Sequence, residues 1–126
     1  MSSFTTPLDI RALDDGKTFQ VVNPFRYRIG DVKSKNIITV PEGFKTDFAS
    51  VPRILWNILP PWGKYGKAAV LHDYLYYSGM FERKECDKIF LEAMKELGVG
   101  WIARKTIYSG VRIGGWIAWN KHRKND

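Results

Sequence analysis

The placement of one histidine and one aspartate restricts how this chain can fold more than any other feature. His72 lies in the run Ala68-Ala69-Val70-Leu71-His72-Asp73-Tyr74-Leu75-Tyr76. Ala68, Leu71, His72, Leu75 and Tyr76 follow the i, i+3, i+4, i+7, i+8 spacing of one helical face, which predicts an inward imidazole. Tyr76 lies one turn further along that face. On a second helical segment Arg83, Asp87, Phe90, Met94 and Leu97 also share a face, so an acid stands in a largely apolar stripe. A carboxylate buried without a partner is strongly destabilising, so Asp87 requires one. Gly79 lies seven residues after His72 and eight before Asp87. An antiparallel hairpin turning there brings the two to the same level, with Tyr76 and Arg83 in register for further hydrogen bonds. Asp73 is rotated from His72 by about 100°, toward the edge shared with Ala69 and Tyr77, and is expected at the rim. Two readings of the pair stay open. A carboxylate can fix the tautomer of an imidazole and stabilise its charged form, which makes His72 a general base oriented by Asp87 and Tyr76. The same arrangement also describes a buried polar network that joins two helices.

The flanking sequence predicts an α+β fold in a single domain over residues 1–126, with a small N-terminal antiparallel β-sheet followed by three helices, two of them the antiparallel pair. Residues of about 18–43 are β-rich. Thr18–Val22 and Phe25–Ile29 read as strands separated by the turn pair Asn23-Pro24. Gly30–Lys35 reads as a loop, and Asn36–Val40 as a third strand closed by Pro41-Glu42-Gly43. Residues 44–66 are irregular, with a short helix at Ile54–Leu59 ended by Pro60-Pro61. The helices are expected at about Tyr65–Tyr77, Glu82–Leu97 and Val99–Asn120, within a helical span of 65–120, and residues 121–126 as a basic tail. Gly110, Gly114 and Gly115 either weaken the third helix or let another helix approach it closely.

Charge divides the chain. Residues 1–98 hold 14 Lys/Arg and 12 Asp/Glu, a net of +2, whereas residues 99–126 hold six Lys/Arg against Asp126 alone, a net of +5. Trp101, Trp116 and Trp119 lie in that basic segment. Basic charge beside tryptophan suits an anionic membrane surface, an acidic protein or a nucleic acid as partner; a solvated helix face with a basic tail is the plain alternative. The N-terminus has neither the basic region nor the apolar stretch of a signal peptide, and no apolar run approaches a membrane span. Cys86 is the one cysteine, which leaves no internal disulfide and no cysteine-based zinc site. A cytoplasmic site of synthesis is the simple expectation. No Walker-type loop, cysteine nucleophile or Gly-x-Ser-x-Gly elbow is present. A phosphohydrolase of the HD type needs more inward histidines than this chain has.

Two resemblances extend this reading. Gly43-Phe44-Lys45-Thr46-Asp47-Phe48-Ala49-Ser50-Val51-Pro52, Pro60-Pro61, Ala69–Tyr76, Arg83 with Asp87 and Phe90, Met94, and Tyr108 with Val111-Arg112 resemble a family of bacteriophages and prophages known only as a domain of unknown function. The resemblance spans about residues 20–120 and implies a phage origin. Separately, His72-Asp73-x-x-Tyr76 followed by Cys86-Asp87 and Phe90 resembles the helix pair of secreted and parvoviral phospholipases A2. That resemblance implies that His72 activates a water to attack an ester carbonyl, that Asp73 binds Ca2+ to stabilise the oxyanion, and that Asp87 and Tyr76 orient His72. The chain departs from the phospholipases where their glycine-rich calcium loop stands. Val51–Trp56 contains no glycine; Trp62-Gly63-Lys64-Tyr65-Gly66 is the nearer substitute for that loop, but its neighbouring Lys64 and Lys67 suit a cation poorly. Asp47 is a further acid in the distinctive loop, either a metal ligand with Asp73 or the cap of a turn.

The expectations are therefore a phage-encoded ester or lipid hydrolase with catalytic His72, Asp87 and Tyr76, or a non-enzymatic virion, assembly or host-interaction protein in which the pair is structural.

Overall fold

The structure, a computed structural model, describes residues 3–4, 8–16, 18–29, 37–48, 51, 53–57 and 66–124. The chain folds as two compact units, Met1–Asp47 and Phe48–Asp126. The expected α+β class holds, with antiparallel strands first and helices after.

The first unit contains β1 (Ser3–Phe4), β2 (Ile10–Ala12), β3 (Phe19–Val21), β4 (Phe25–Arg28), β5 (Ile37–Val40) and β6 (Lys45–Thr46). All pairings are antiparallel, but the strands divide between two sheets, in the orders β1-β4-β5 and β2-β3-β6. The two strands that flank Asn23-Pro24 thus belong to different sheets rather than pairing with each other. Pro24 has no N–H to donate and interrupts the ladder. Asp9 fixes this corner: Val22 N–H donates to its carbonyl at 2.8 Å and the Asn23 amide to its carboxylate at 2.9 Å. Phe25 lies opposite Val40, and Tyr27 opposite Ile38. All four are buried while their chain neighbours Arg26 and Thr39 are exposed, the period-2 alternation of a strand with one covered face. The predicted loop at 30–35 and Asn36, the first residue of the predicted third strand, lie outside the described residues.

The second unit starts with Phe48 and contains a short 3-10 helix at Arg53–Asn57; residues 58–59 of the helix predicted at 54–59 lie outside the described residues. Pro60-Pro61 and the Trp62–Tyr65 segment lie outside the described residues. Four helices follow: α1 (Gly66–Ser78), α2 (Arg83–Glu96), α3 (Trp101–Gly114) and α4 (Trp116–Lys124). α1 stops at Gly79, whose φ of +68° is left-handed and suits glycine. α2 stops in a Schellman pattern: Gly98, at φ +84°, donates to Lys95 O and Val99 to Met94 O. The expected third helix divides at Gly115 into α3 and α4. The expected tail is helical through Lys124 because its side chains are engaged. Arg123 donates to Tyr76 O (2.9 Å) and Tyr77 O (3.1 Å) and lies over the Trp119 ring, and His122 meets the Tyr77 ring edge-on at 5.9 Å.

α1 departs from the expected one-sided pattern. Ala68 through Asp73, Leu75 and Tyr76 are all buried, so the helix is covered over most of its circumference. Asp73 is 4% exposed and does not stand at a rim. A helix apolar all round carries no signal of which side meets solvent, and this one lies inside.

Candidate functional site

The α1–α2 hairpin brings His72 and Asp87 together as the spacing predicts. Nε2 of His72 lies 2.7 Å from Oδ1 of Asp87, and the Tyr76 hydroxyl donates to the same oxygen at 2.6 Å. Both inward helical faces arise from the 3.6-residue period, and the turn at Gly79 sets their register. Phe90, one turn beyond Asp87, stacks on the His72 ring at 4.4 Å between centroids and 29° between planes. Tyr76 packs against the same imidazole at 4.3 Å, and Trp119 of α4 closes on the Tyr76 ring edge-on at 5.3 Å. His72, Tyr76 and Asp87 are each 0% exposed.

The second carboxylate oxygen is held from a third helix. Arg112 Nη1 of α3 donates to Oδ2 of Asp87 at 2.7 Å. Sequence reasoning did not name this partner, since nothing local ties residue 112 to a residue 25 positions earlier. Arg83, expected to bond Asp87, is 3.6 Å from Oδ2, too far for a hydrogen bond. Its guanidinium donates instead to Val111 O (3.1 Å) and Arg112 O (3.2 Å), carbonyls of the last turn of α3. A cation at that end also complements the helix dipole. Two arginines and a histidine therefore face one buried carboxylate.

This setting explains the titration of the cluster. Burial alone raises the Asp87 carboxyl, but hydrogen bonds from His72, Tyr76 and Arg112, with the charge of His72, outweigh it and leave the group below its ordinary range. Burial, then the hydrogen bond to Asp87, pushes the Tyr76 phenol well above its ordinary value. Burial and the nearby Asp87 charge push the Cys86 thiol up to about 12. Cys86 is thus a neutral, inert packing group.

The expected metal ligands belong to different units of the chain. Asp73 is buried in the second unit, and Asp47 is exposed at the end of the first. Among the described residues no three His, Cys, Asp or Glu side chains assemble as a ligand set. The carboxylate nearest the histidine already serves His72, Tyr76 and Arg112.

The geometry can hold an imidazole in one orientation. The ring presents no surface to solvent in this arrangement.

The family described as "Protein of unknown function (DUF1353)" matches residues 19–111, about three quarters of the chain. The chain belongs to this family. The match takes in β3–β6, α1, α2 and nearly all of α3; it includes His72, Tyr76, Arg83 and Asp87 and stops one residue before Arg112. The chain is also similar to "Uncharacterized protein y4jT" of Sinorhizobium fredii (strain NBRC 101917 / NGR234), with 37% identity over 78 residues, 60% of this chain and 23% of that protein. It therefore spans about a quarter of that relative's length. No solved structure matches the chain. Among the described residues no helix is long and apolar enough to cross a membrane.

Proposed function

We propose that this chain acts by binding and assembly rather than by catalysis, as a phage-borne structural or host-interaction protein. His72, Tyr76, Asp87 and Arg112 then form an internal brace of the helical unit. The observation that carries this reading is the 0% exposure of the imidazole, the phenol and the carboxylate. A general base must present a lone pair to the water it deprotonates, at a surface that substrate can reach. A brace needs the reverse: donors from several helices on one carboxylate, shielded from water so that each bond is strong. Here α1 supplies two donors, α3 one, and α2 the acceptor. The phage-borne part of the reading rests on the resemblance carried by Gly43–Pro52 and Ala69–Tyr76.

Hydrolysis of an ester or lipid is the second reading. It is favoured by one observation: His72 Nε2 and the Tyr76 hydroxyl share Asp87 Oδ1, the orientation that the phospholipase A2 resemblance implies. In that case His72 takes the proton from water, and Asp87 stabilises the imidazolium.

One experiment separates the two. The purified chain and its His72→Ala variant are assayed on simple esters and phospholipid vesicles, with and without calcium, and melted in parallel. The brace predicts no hydrolysis by either protein and a loss of about 2–4 kcal/mol in the variant, from the cavity and the unpaired carboxylate. Hydrolysis by the parent that disappears in His72→Ala overturns the brace and supports the second reading.

A further inference from the structure

α3 and α4 form one nearly continuous helical path. Gly115, between them, keeps right-handed helical dihedrals of −67° and −17°. Gly115 N–H donates to Val111 O and Trp119 N–H to Gly115 O across the join. The inner side of this path buries Ile107, Val111 and Ala118. Its outer side carries five large apolar side chains: Trp101, Ile102, Ile113, Trp116 and Ile117. Their exposure runs from 53% at Trp116 to 76% at Ile113. Ile113, Trp116 and Ile117 follow Ile102 by 11, 14 and 15 residues, close to whole turns of a helix, so they lie along one side. A row of exposed large apolar residues marks a docking face rather than chance exposure.

Charge selects what docks there. Residues 99–124 hold six Lys/Arg and no Asp or Glu. The three arginines are turned inward: Arg104 to Val99 O, Arg112 to Asp87, and Arg123 to Tyr76 O and Tyr77 O. Lys105 and Lys121 are exposed, each four residues beyond a member of the apolar row. A second copy of the chain would set like charges against each other. A nucleic acid would leave three isoleucines facing sugar and phosphate. An anionic bilayer surface satisfies both features, because Trp and Ile enter the interfacial layer while lysine ammoniums reach the headgroup phosphates. Beside Trp116 and Ile117 a groove of about 720 Å³, lined also by Asn120, Lys121 and the inward-turned Arg123, sets an apolar wall beside the exposed Lys121, which complements a phospholipid's apolar chains and anionic headgroup.

We propose that the outer side of α3–α4 is a docking face for an anionic lipid surface, on which the helices lie in the plane of the interface. This face is separate from the His72 brace, and the proposal stands or falls independently of that reading.

The test is co-sedimentation of the whole chain with vesicles of phosphatidylcholine, and with vesicles of equal parts phosphatidylcholine and phosphatidylglycerol. The chain should sediment with the anionic vesicles and not the neutral ones, with a blue shift of tryptophan emission. Ile113→Ser/Ile117→Ser should weaken binding on the order of a hundredfold, and Lys105→Glu/Lys121→Glu roughly thirtyfold. Unchanged thermal midpoints certify that these surface variants fold. Absence of anionic-vesicle binding by the parent overturns the proposal, as does equal binding by folded variants. Lipid-free dimerisation lost in Ile113→Ser/Ile117→Ser assigns the face to a second copy, and salt-sensitive DNA binding without vesicle binding assigns it to nucleic acid; either result overturns the lipid assignment.

Discussion

Asp87 accepts hydrogen bonds from His72, Tyr76 and Arg112 at 2.6–2.7 Å, so its charge ties α1 and α3 to α2. Asp87→Asn keeps the shape and removes the charge. We expect a loss of about 2–4 kcal/mol in urea denaturation, with the Arg112 share discounted because its guanidinium is partly exposed. The pH dependence has a definite sign at each end. The folded Asp87 carboxyl lies below its ordinary 3.8, so its stabilising share is present above pH 3.8 and is lost as pH falls below it. Denaturation midpoints measured against pH should show this acid limb in the parent and a reduced one in Asp87→Asn. Tyr76 is raised above its ordinary 10.0, so its share is full below pH 10.0 and lost as pH climbs beyond it. Tyr76→Phe should flatten that alkaline limb and leave the part due to Cys86, which is raised from 9.0 to about 12. His72, Tyr76 and Asp87 were legible in the sequence because helical period and hairpin register are local properties. Arg112 was not, because its bond joins elements distant along the chain. Asp73 was placed at a rim because spacing reports one face of a helix and says nothing of whether the opposite face is also covered.

Among the elements, the helices were the most legible and the sheets the least. Gly79 and Gly98 end α1 and α2 within a residue or so of the expected boundaries, since a left-handed residue is a local stop signal. Gly110 and Gly115 left two explanations open, and packing answers both. A Cβ at Gly110 would lie 2.5 Å from Leu55 Cδ1, and one at Gly115 would run into the Val111 carbonyl and stand 2.7 Å from the Tyr76 hydroxyl. These glycines are sites of close approach. Gly115→Ala should push the Tyr76 phenol off Asp87 and cost about 1–3 kcal/mol, the usual range for overpacking. The readout is a lower thermal midpoint together with changed near-UV signal from Tyr76 and Trp119; a midpoint equal to the parent's would show that the site relaxes freely. β3 and β4 were read as strands but not as members of different sheets. Strand propensity is local, whereas partner choice depends on β1, β2 and β6, two or three residues each and too short to carry a pattern.

At the scale of the whole molecule, the family match ends at residue 111, while the contacts that complete the helical unit continue beyond it. Arg112 reaches Asp87, Trp119 covers Tyr76, and Arg123 caps the carbonyls at the end of α1. A chain truncated after Val111 loses all three. Calorimetry should show a lower and broader transition than in the parent; an unchanged transition would mean that α4 adds nothing to the brace. The same segment turns Ile113, Trp116 and Ile117 outward, so it supports the unit on one side and offers a docking face on the other. By itself the sequence determined the α+β order, the antiparallel helix pair and the meeting of His72, Tyr76 and Asp87, because periodicity, turn residues and the need to pair a buried acid all act over short distances. Only the tertiary structure decided that the imidazole is sealed, that Arg112 completes the carboxylate's partners, that Asp73 lies inside, and that the tryptophan-rich face points outward. Burial and long-range pairing depend on what covers each surface, and no local pattern of residues records that.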